Sequence, residues 1–128
     1  MATVIRLRTD VFDVSQEPEN PINPIGGASV LAWLKTELHN HHAIETSDPE
    51  PEDWGWYIYA SIHGHRYMIG ASTDLSDPDH EWVLQVHKNR NLVQKLLGKG
   101  VMTAQDPAVV MISDIISANN AFRNISVE

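Results

Sequence analysis

The chain has 128 residues, 42% hydrophobic and 20% charged, with a formal net charge of -8, which fits one soluble globular domain with a single core and excludes a disordered or two-domain chain. The absence of cysteine removes a disulfide framework, a thiolate nucleophile and cysteine-ligated zinc. The acidic balance opposes general nucleic-acid binding and suits either solubility or a basic partner. No apolar run approaches bilayer length and MATVIRLRTD holds no signal-peptide segment, so a cytoplasmic protein with no membrane partner is expected.

Thr3 to Val14 alternates, with Ile5, Leu7 and Val11 on one side and Arg6, Arg8 and Asp10 on the other, and predicts a strand. Ser15 to Ile25 carries Pro18, Pro21 and Pro24 and reads as an extended, ordered loop. After Gly26-Gly27 the period changes. Val30, Leu31, Leu34 and Leu38 recur at helical spacing, predicting a helix over Ala28 to Asn40, capped by Gly27 or Ser29 and ending in His39-Asn40-His41-His42. Glu45 to Asp53 holds five acids and two prolines and is expected to be an exposed loop.

Glu52 to Ser72, EDWGWYIYASIHGHRYMIGAS, is the most regular stretch, a β-hairpin with a two-residue turn at His63-Gly64 or Gly64-His65. Either turn makes paired positions sum to an odd number, so even positions of the first strand share a face with odd positions of the second. Trp54, Trp56, Ile58, Ala60 and Ile62, with Tyr67, Ile69 and Ala71, form the expected core side; Tyr57, Tyr59, Ser61, Arg66, Met68, Gly70 and Ser72 form the other.

Asp74 to Glu81 is a second acidic stretch, and Glu81 to Lys88 a further alternating strand with Trp82, Leu84 and Val86 inward. The two acidic stretches hold nine of the seventeen acids and flank the open end of the hairpin. They predict an acidic rim of Asp48, Glu50, Glu52, Asp53, Asp77 and Asp79: plain solvated loops, a docking site for a basic partner, or a hard-cation site, the last without EF-hand spacing. Asn91 caps an expected short helix, Leu92 to Leu97, closed by Gly98 or Gly100; Asp106-Pro107 opens a last helix to about Asn119, striped by Val109, Ile112, Ile115 and Ile116; Phe122 to Glu128 is a candidate edge strand.

The order predicts an α+β fold: a single two-layer sandwich with a mainly antiparallel four-stranded sheet, β-α-β-β-β-α-α, and all helices on one face. The uncovered face would carry Arg6, Arg8, Tyr57, Tyr59, Ser61, Arg66, Met68, Gln85 and His87. That is a local reversal of sign in an acidic chain, built from residue types that make good contact surfaces. Three readings compete: a solvent-facing sheet, a homodimer interface, and a site for an anionic ligand or single strand.

Other candidates are weaker. His39-Asn40-His41 matches three letters of the HNH nucleases without their spread ββα-metal arrangement, and His63 and His65 straddle the turn without a third ligand. Glu52 with Asp53 and Asp77 with Asp79 lie in hydrophilic loops that do not separate carboxyl pKa values. Ser61 and Ser72 lack an elbow, and Gly26-Gly27 lacks the following Gly-Lys-Ser/Thr of a phosphate loop. No catalytic residue, metal or cofactor is expected.

Asn23-Pro-Ile-Gly-Gly27 leading into the helix with Trp33-Leu34, Glu52-Asp-Trp-Gly-Trp-Tyr57, and Leu96-Leu97-Gly98 before the last helix resemble a family of small, uncharacterised bacterial α+β proteins over Asn23 to Glu128. The resemblance implies a fold and no activity. Immunity proteins of bacterial toxin systems are similar in size, acidity and α+β build, a likeness of fold class and composition only. The leading expectation is a non-enzymatic interaction protein, a small homodimer using the Tyr/Arg face. The alternatives are an immunity-type inhibitor binding a basic toxin through the acidic rim, and a metal-dependent hydrolase using the histidines and acids.

Overall fold

The computed structural model describes residues 3–77, 79, 81–89, 96–98 and 102–128. Their elements are β1 (Thr3–Arg8), a 3-10 turn (Val14–Gln16), α1 (Ala28–His42), β2 (Glu50–Glu52), β3 (Gly55–Ile62), β4 (His65–Thr73), β5 (Glu81–Lys88), α2 (Pro107–Ser117) and β6 (Arg123–Val127). The strands form one antiparallel sheet in the order β2-β3-β4-β5-β1-β6. The α+β class is as expected, but the sheet has six strands rather than four. The short helix expected over Leu92 to Leu97 falls largely outside the described residues, and among those described no helix is long and apolar enough to cross a membrane.

The two added strands are edges. Glu50–Glu52, expected as loop, pairs with Tyr57, Trp56 and Gly55; Pro51 is tolerated there because an edge strand needs no donor on its outer side. Arg123–Val127 completes the other edge against β1, with a register shift opposite Arg6 and Arg8 and a left-handed Asn124 (φ 52°). The central hairpin turns at His63-Gly64, both with positive φ (51° and 77°), and pairs Ile62 with His65.

That register sends Ile5, Leu7, Ile58, Ile62, Tyr67, Ile69, Trp82, Leu84 and Val86 to one side, all buried, where they meet Val30, Leu31, Leu34 and Leu38 of α1 and Val109, Ile112 and Ile116 of α2. Val11 does not join them and is 49% exposed. The strand stops at Arg8 because the Thr9 hydroxyl donates to Ala121 O (2.9 Å) and accepts from Val11 N–H (3.1 Å), which turns the chain outward. Phe12 takes the inward position, edge-on to Trp82 at 5.2 Å and to Trp33 at 6.3 Å.

Both α1 and α2 are fixed at their N-termini by an acid. At α1 the cap is Gly27 (φ 150°), where a Cβ would lie 2.4 Å from Ala71 O. Glu17, from the proline-rich loop, accepts from Gly27 N–H (2.6 Å) and from the backbone and hydroxyl of Ser29. At α2 the expected Asp106 cap accepts from Ala108 N–H (3.0 Å), and also from the Tyr67 hydroxyl (2.6 Å) and Lys88 Nζ (3.1 Å). The Lys88 and Asp106 side chains are 11% and 3% exposed. Burial pushes the Asp106 carboxyl upward, but the bonds from Tyr67, Ala108 and Lys88 outweigh it and hold it below the ordinary range. Burial, then the bond to Asp106, pushes the Tyr67 phenol up.

Candidate interaction surface

The face away from the helices is built in rows across the strands. Tyr57 lies opposite Gly70 and Gly70 opposite Gln85, which faces Val4; Tyr59 lies opposite Met68, and Met68 opposite His87. Glu50 faces Tyr57 from β2. Directly opposed side chains in an antiparallel pair share a face, so Tyr57, Tyr59, Met68, Gln85 and His87 lie together, with Arg66 opposite Ser61, and Glu50, expected in an exposed loop, joins them.

Trp54 does not follow the expected alternation. It precedes β3, and its ring lies on the open face over Gly70, where a Cβ would come within 2.6 Å of Cη2. Two features hold it there. Gly55, at φ 148°, redirects the backbone at a point where a Cβ would lie 2.3 Å from Ala71 O. The buried Asn20 amide donates to Glu52 O (2.9 Å) and Gly55 O (3.0 Å) while its oxygen accepts from Ile22 and Asn23, so the proline-rich loop clamps the turn. Trp56, facing the other way, donates to Ile25 O at 3.1 Å.

The result is a continuous ladder. Trp54 and Tyr57 have ring centroids 6.5 Å apart, Tyr57 and Tyr59 meet edge-on at 5.5 Å, and the Arg66 guanidinium lies 4.2 Å from the Tyr59 centroid. Stacked geometries of this kind hold the side chains in place and leave their outer surfaces available for contact.

The positive character expected of this face is smaller than its arginines and histidine suggest. Arg6 pairs with Glu81 (3.4 Å) and Glu128 (3.5 Å), and Arg8 with Asp79 and Glu81 (both 3.6 Å). Burial moves the His87 imidazole below its ordinary value, favouring the neutral ring. Arg66 remains: among the described residues it is the one arginine of this face without a carboxylate partner, and it borders a 210 Å³ hollow with Tyr59, Ser47, Ser61 and Glu45. Glu45 meets His39 Nδ1 at 2.6 Å.

The acids expected at the rim are held in different ways. Asp48 is tied to Lys35 at 2.8 Å, which lowers its pKa, and Asp79 to Arg8. Glu50 and Glu52 alternate along β2 beside the aromatic ladder, and Asp53 occupies the turn before Trp54. Desolvation, then Tyr59, Glu50 and Glu52, push the Tyr57 phenol up. Asp77 borders a different feature, an open groove of about 480 Å³ between Trp54, Ser72 and Val83, with Asp74 and Glu81 at its edge. Asp74 and Asp77 have no cationic partner among the described residues; they accept only from local turn donors, Ser76 and Asp79.

The open face is therefore polarised along its strands. Arg66 stands near the hairpin turn, and Asp74, Asp77 and the groove lie at the far end. Sequence reasoning missed Trp54 and Asp74 as members of this surface. The Trp-Gly pair at 54–55 and the lone glycine at 70, in a strand otherwise rich in larger residues, were the available signals. Among the described residues no three His, Asp or Glu are grouped to hold a metal ion.

Comparison of the chain with protein-family models, curated proteins and solved structures finds no match.

Proposed function

We propose that the chain is a non-enzymatic interaction protein that acts as a homodimer, with the open sheet face as its contact surface. One observation carries the reading: the ladder of Trp54, Tyr57, Tyr59 and Arg66, flanked by Met68, is ordered by its own stacking and, among the described residues, lies on the face opposite the one that α1 and α2 cover. Tyrosine, tryptophan and arginine concentrate binding energy because they combine large area with few lost rotamers and directional tips. Tyr57, Tyr59 and Met68 supply contact area. Arg66 supplies direction; Arg6 and Arg8, held by Glu81, fix the border.

Light scattering of the wild type and of Tyr59→Glu, with circular dichroism to confirm folding, tests the proposal. The expected masses are about twice 14.4 kDa for the wild type and about 14.4 kDa for the folded variant. A monomeric wild type, or a variant that stays dimeric, would overturn it.

A second reading is an immunity-type inhibitor that meets a basic partner. It is favoured by Glu50, Glu52, Asp53, Asp74 and Asp77, which have no ion-pair partner among the described residues. It predicts a monomer whose affinity for that partner falls tenfold or more, as an order of magnitude, between low and moderate salt.

A further inference from the structure

Resting on the shared-face reading above, we infer the arrangement of the pair: two copies pack head to tail through their open faces, and Arg66 of each copy meets Asp74 and Asp77 of the other. The occupant of the groove is thus a second copy of this chain.

The argument begins with charge. Arg66 and the Asp74/Asp77 pair lack ion-pair partners among the described residues, carry opposite sign, and sit at opposite ends of one face. They are too far apart along β4 to meet within one molecule, because the nine-residue strand His65–Thr73 rises about 3.3 Å per residue. Self-association with the strands running the same way would place like charge on like. Running them in opposite directions places Arg66 on the acidic end twice.

Charge then selects the register. A two-fold axis in the plane of the interface and across the strands stacks each strand on its own copy in reverse. Placed over the row Tyr57, Gly70, Gln85 and Val4, it sets residue 70 opposite its mate, with the two Trp54 rings, each over its own Gly70, meeting at the axis. Arg66, four residues before Gly70, then lies opposite Asp74, four residues after. Packed sheets lie about 10 Å apart, within the combined reach of an arginine and an aspartate.

Shape agrees with charge. In this register Met68 lies opposite Ser72 and His87 opposite Val83, so larger side chains of one copy face smaller ones of the other. Ser72 and Val83 line the 480 Å³ groove. The Asp74 turn enters the hollow beside Arg66, where the Ser47 and Ser61 hydroxyls offer further donors to a carboxylate. Glu45 also lines that hollow, with its carboxylate turned against His39 Nδ1 at 2.6 Å.

Sedimentation of the wild type, Arg66→Glu, Asp74→Arg, Asp74→Asn and the double variant Arg66→Glu/Asp74→Arg at low salt tests the arrangement, each checked by circular dichroism. Each charge reversal should raise the dimer dissociation constant roughly tenfold or more, because it sets like charges together twice. The double variant, which restores opposite charges across the interface, should return to within about threefold of the wild type. Asp74→Asn keeps an acceptor for the turn with Ser76, so any weakening it causes is electrostatic, and Arg66→Glu does not touch that turn. A dimer unmoved by either reversal, or a double variant as weak as the singles, would overturn the head-to-tail arrangement and leave the shared face to be decided by Tyr59→Glu. A monomeric wild type would remove both.

Discussion

Strand β5 carries a charge at each end, and the two are held in different ways. At its start Glu81 takes Arg6 and Arg8, with side chains 42% and 30% exposed, at 3.4 to 3.6 Å. At its end Lys88 reaches Asp106 at 3.1 Å, where both side chains are nearly closed off from water. The lengths are similar; the surroundings are not. In water an ion pair replaces hydration it could recover, so its loss is cheap, whereas a buried charge left without its partner has nothing to turn to. Burial, more than the count of contacts, determines which cluster the fold depends on.

The largest effect should follow from breaking the buried end. Asp106→Ala leaves Lys88 uncompensated, removes the acceptor of the Tyr67 hydroxyl and uncaps α2, and urea denaturation should show a loss of about 3–5 kcal/mol. The Asp106 pKa is depressed in the folded state, so its contribution is complete above the unfolded value near 3.8 and disappears as pH falls through the lower folded value. Asp106→Asn should therefore lose stability less steeply than the wild type below about pH 4; equal slopes would show that the depression is absent.

An intermediate effect is expected on the open face itself. Gly70→Ala places a Cβ against the Trp54 ring, and displacing that ring should cost about 1–3 kcal/mol and shift tryptophan emission to the red. Unchanged emission would mean that Trp54 does not rest there. The smallest effect belongs to the exposed end of β5: Arg8→Gln should cost no more than about 1 kcal/mol at low salt and nothing measurable at about 1 M salt. A cost as large as that of Asp106→Ala would erase the distinction between the two ends.

The same division decides how much was legible in the sequence. Period-2 alternation from Trp56 to Ala71 gave the hairpin and its core side and left two registers of the same parity, because a one-residue slip would have moved every large apolar residue into water; the His63-Gly64 turn decided between them. The helical spacing in α1 and the Asp106-Pro107 start of α2 were equally direct. Contacts between distant segments were not legible. Glu81 as the partner of Arg6 and Arg8 depends on β1 lying beside β5, which no local pattern encodes. Trp54 crosses to the open face because Gly55 and the Asn20 clamp break the alternation before β3 begins. Asp106 is readable as a cap, but its bonds to Tyr67 and Lys88 depend on where α2 docks. The open-face tyrosines and Arg66 were found because their alternation is local. Which arginines and acids are already paired was hidden, since it depends on the assembled sheet.

The strand order has a consequence for assembly in time. Both neighbours of β1, β5 and β6, follow it by most of the chain, whereas β3, β4 and β5 are joined by short connections. Loop closure favours the nearby pairings, so the three-strand meander can form while β1 has no partner to accept it. Until β1 inserts, β5 keeps an unpaired edge, and an unpaired edge is a template for a stranger's strand. Strand β1 therefore acts late, as a seal that closes the sheet.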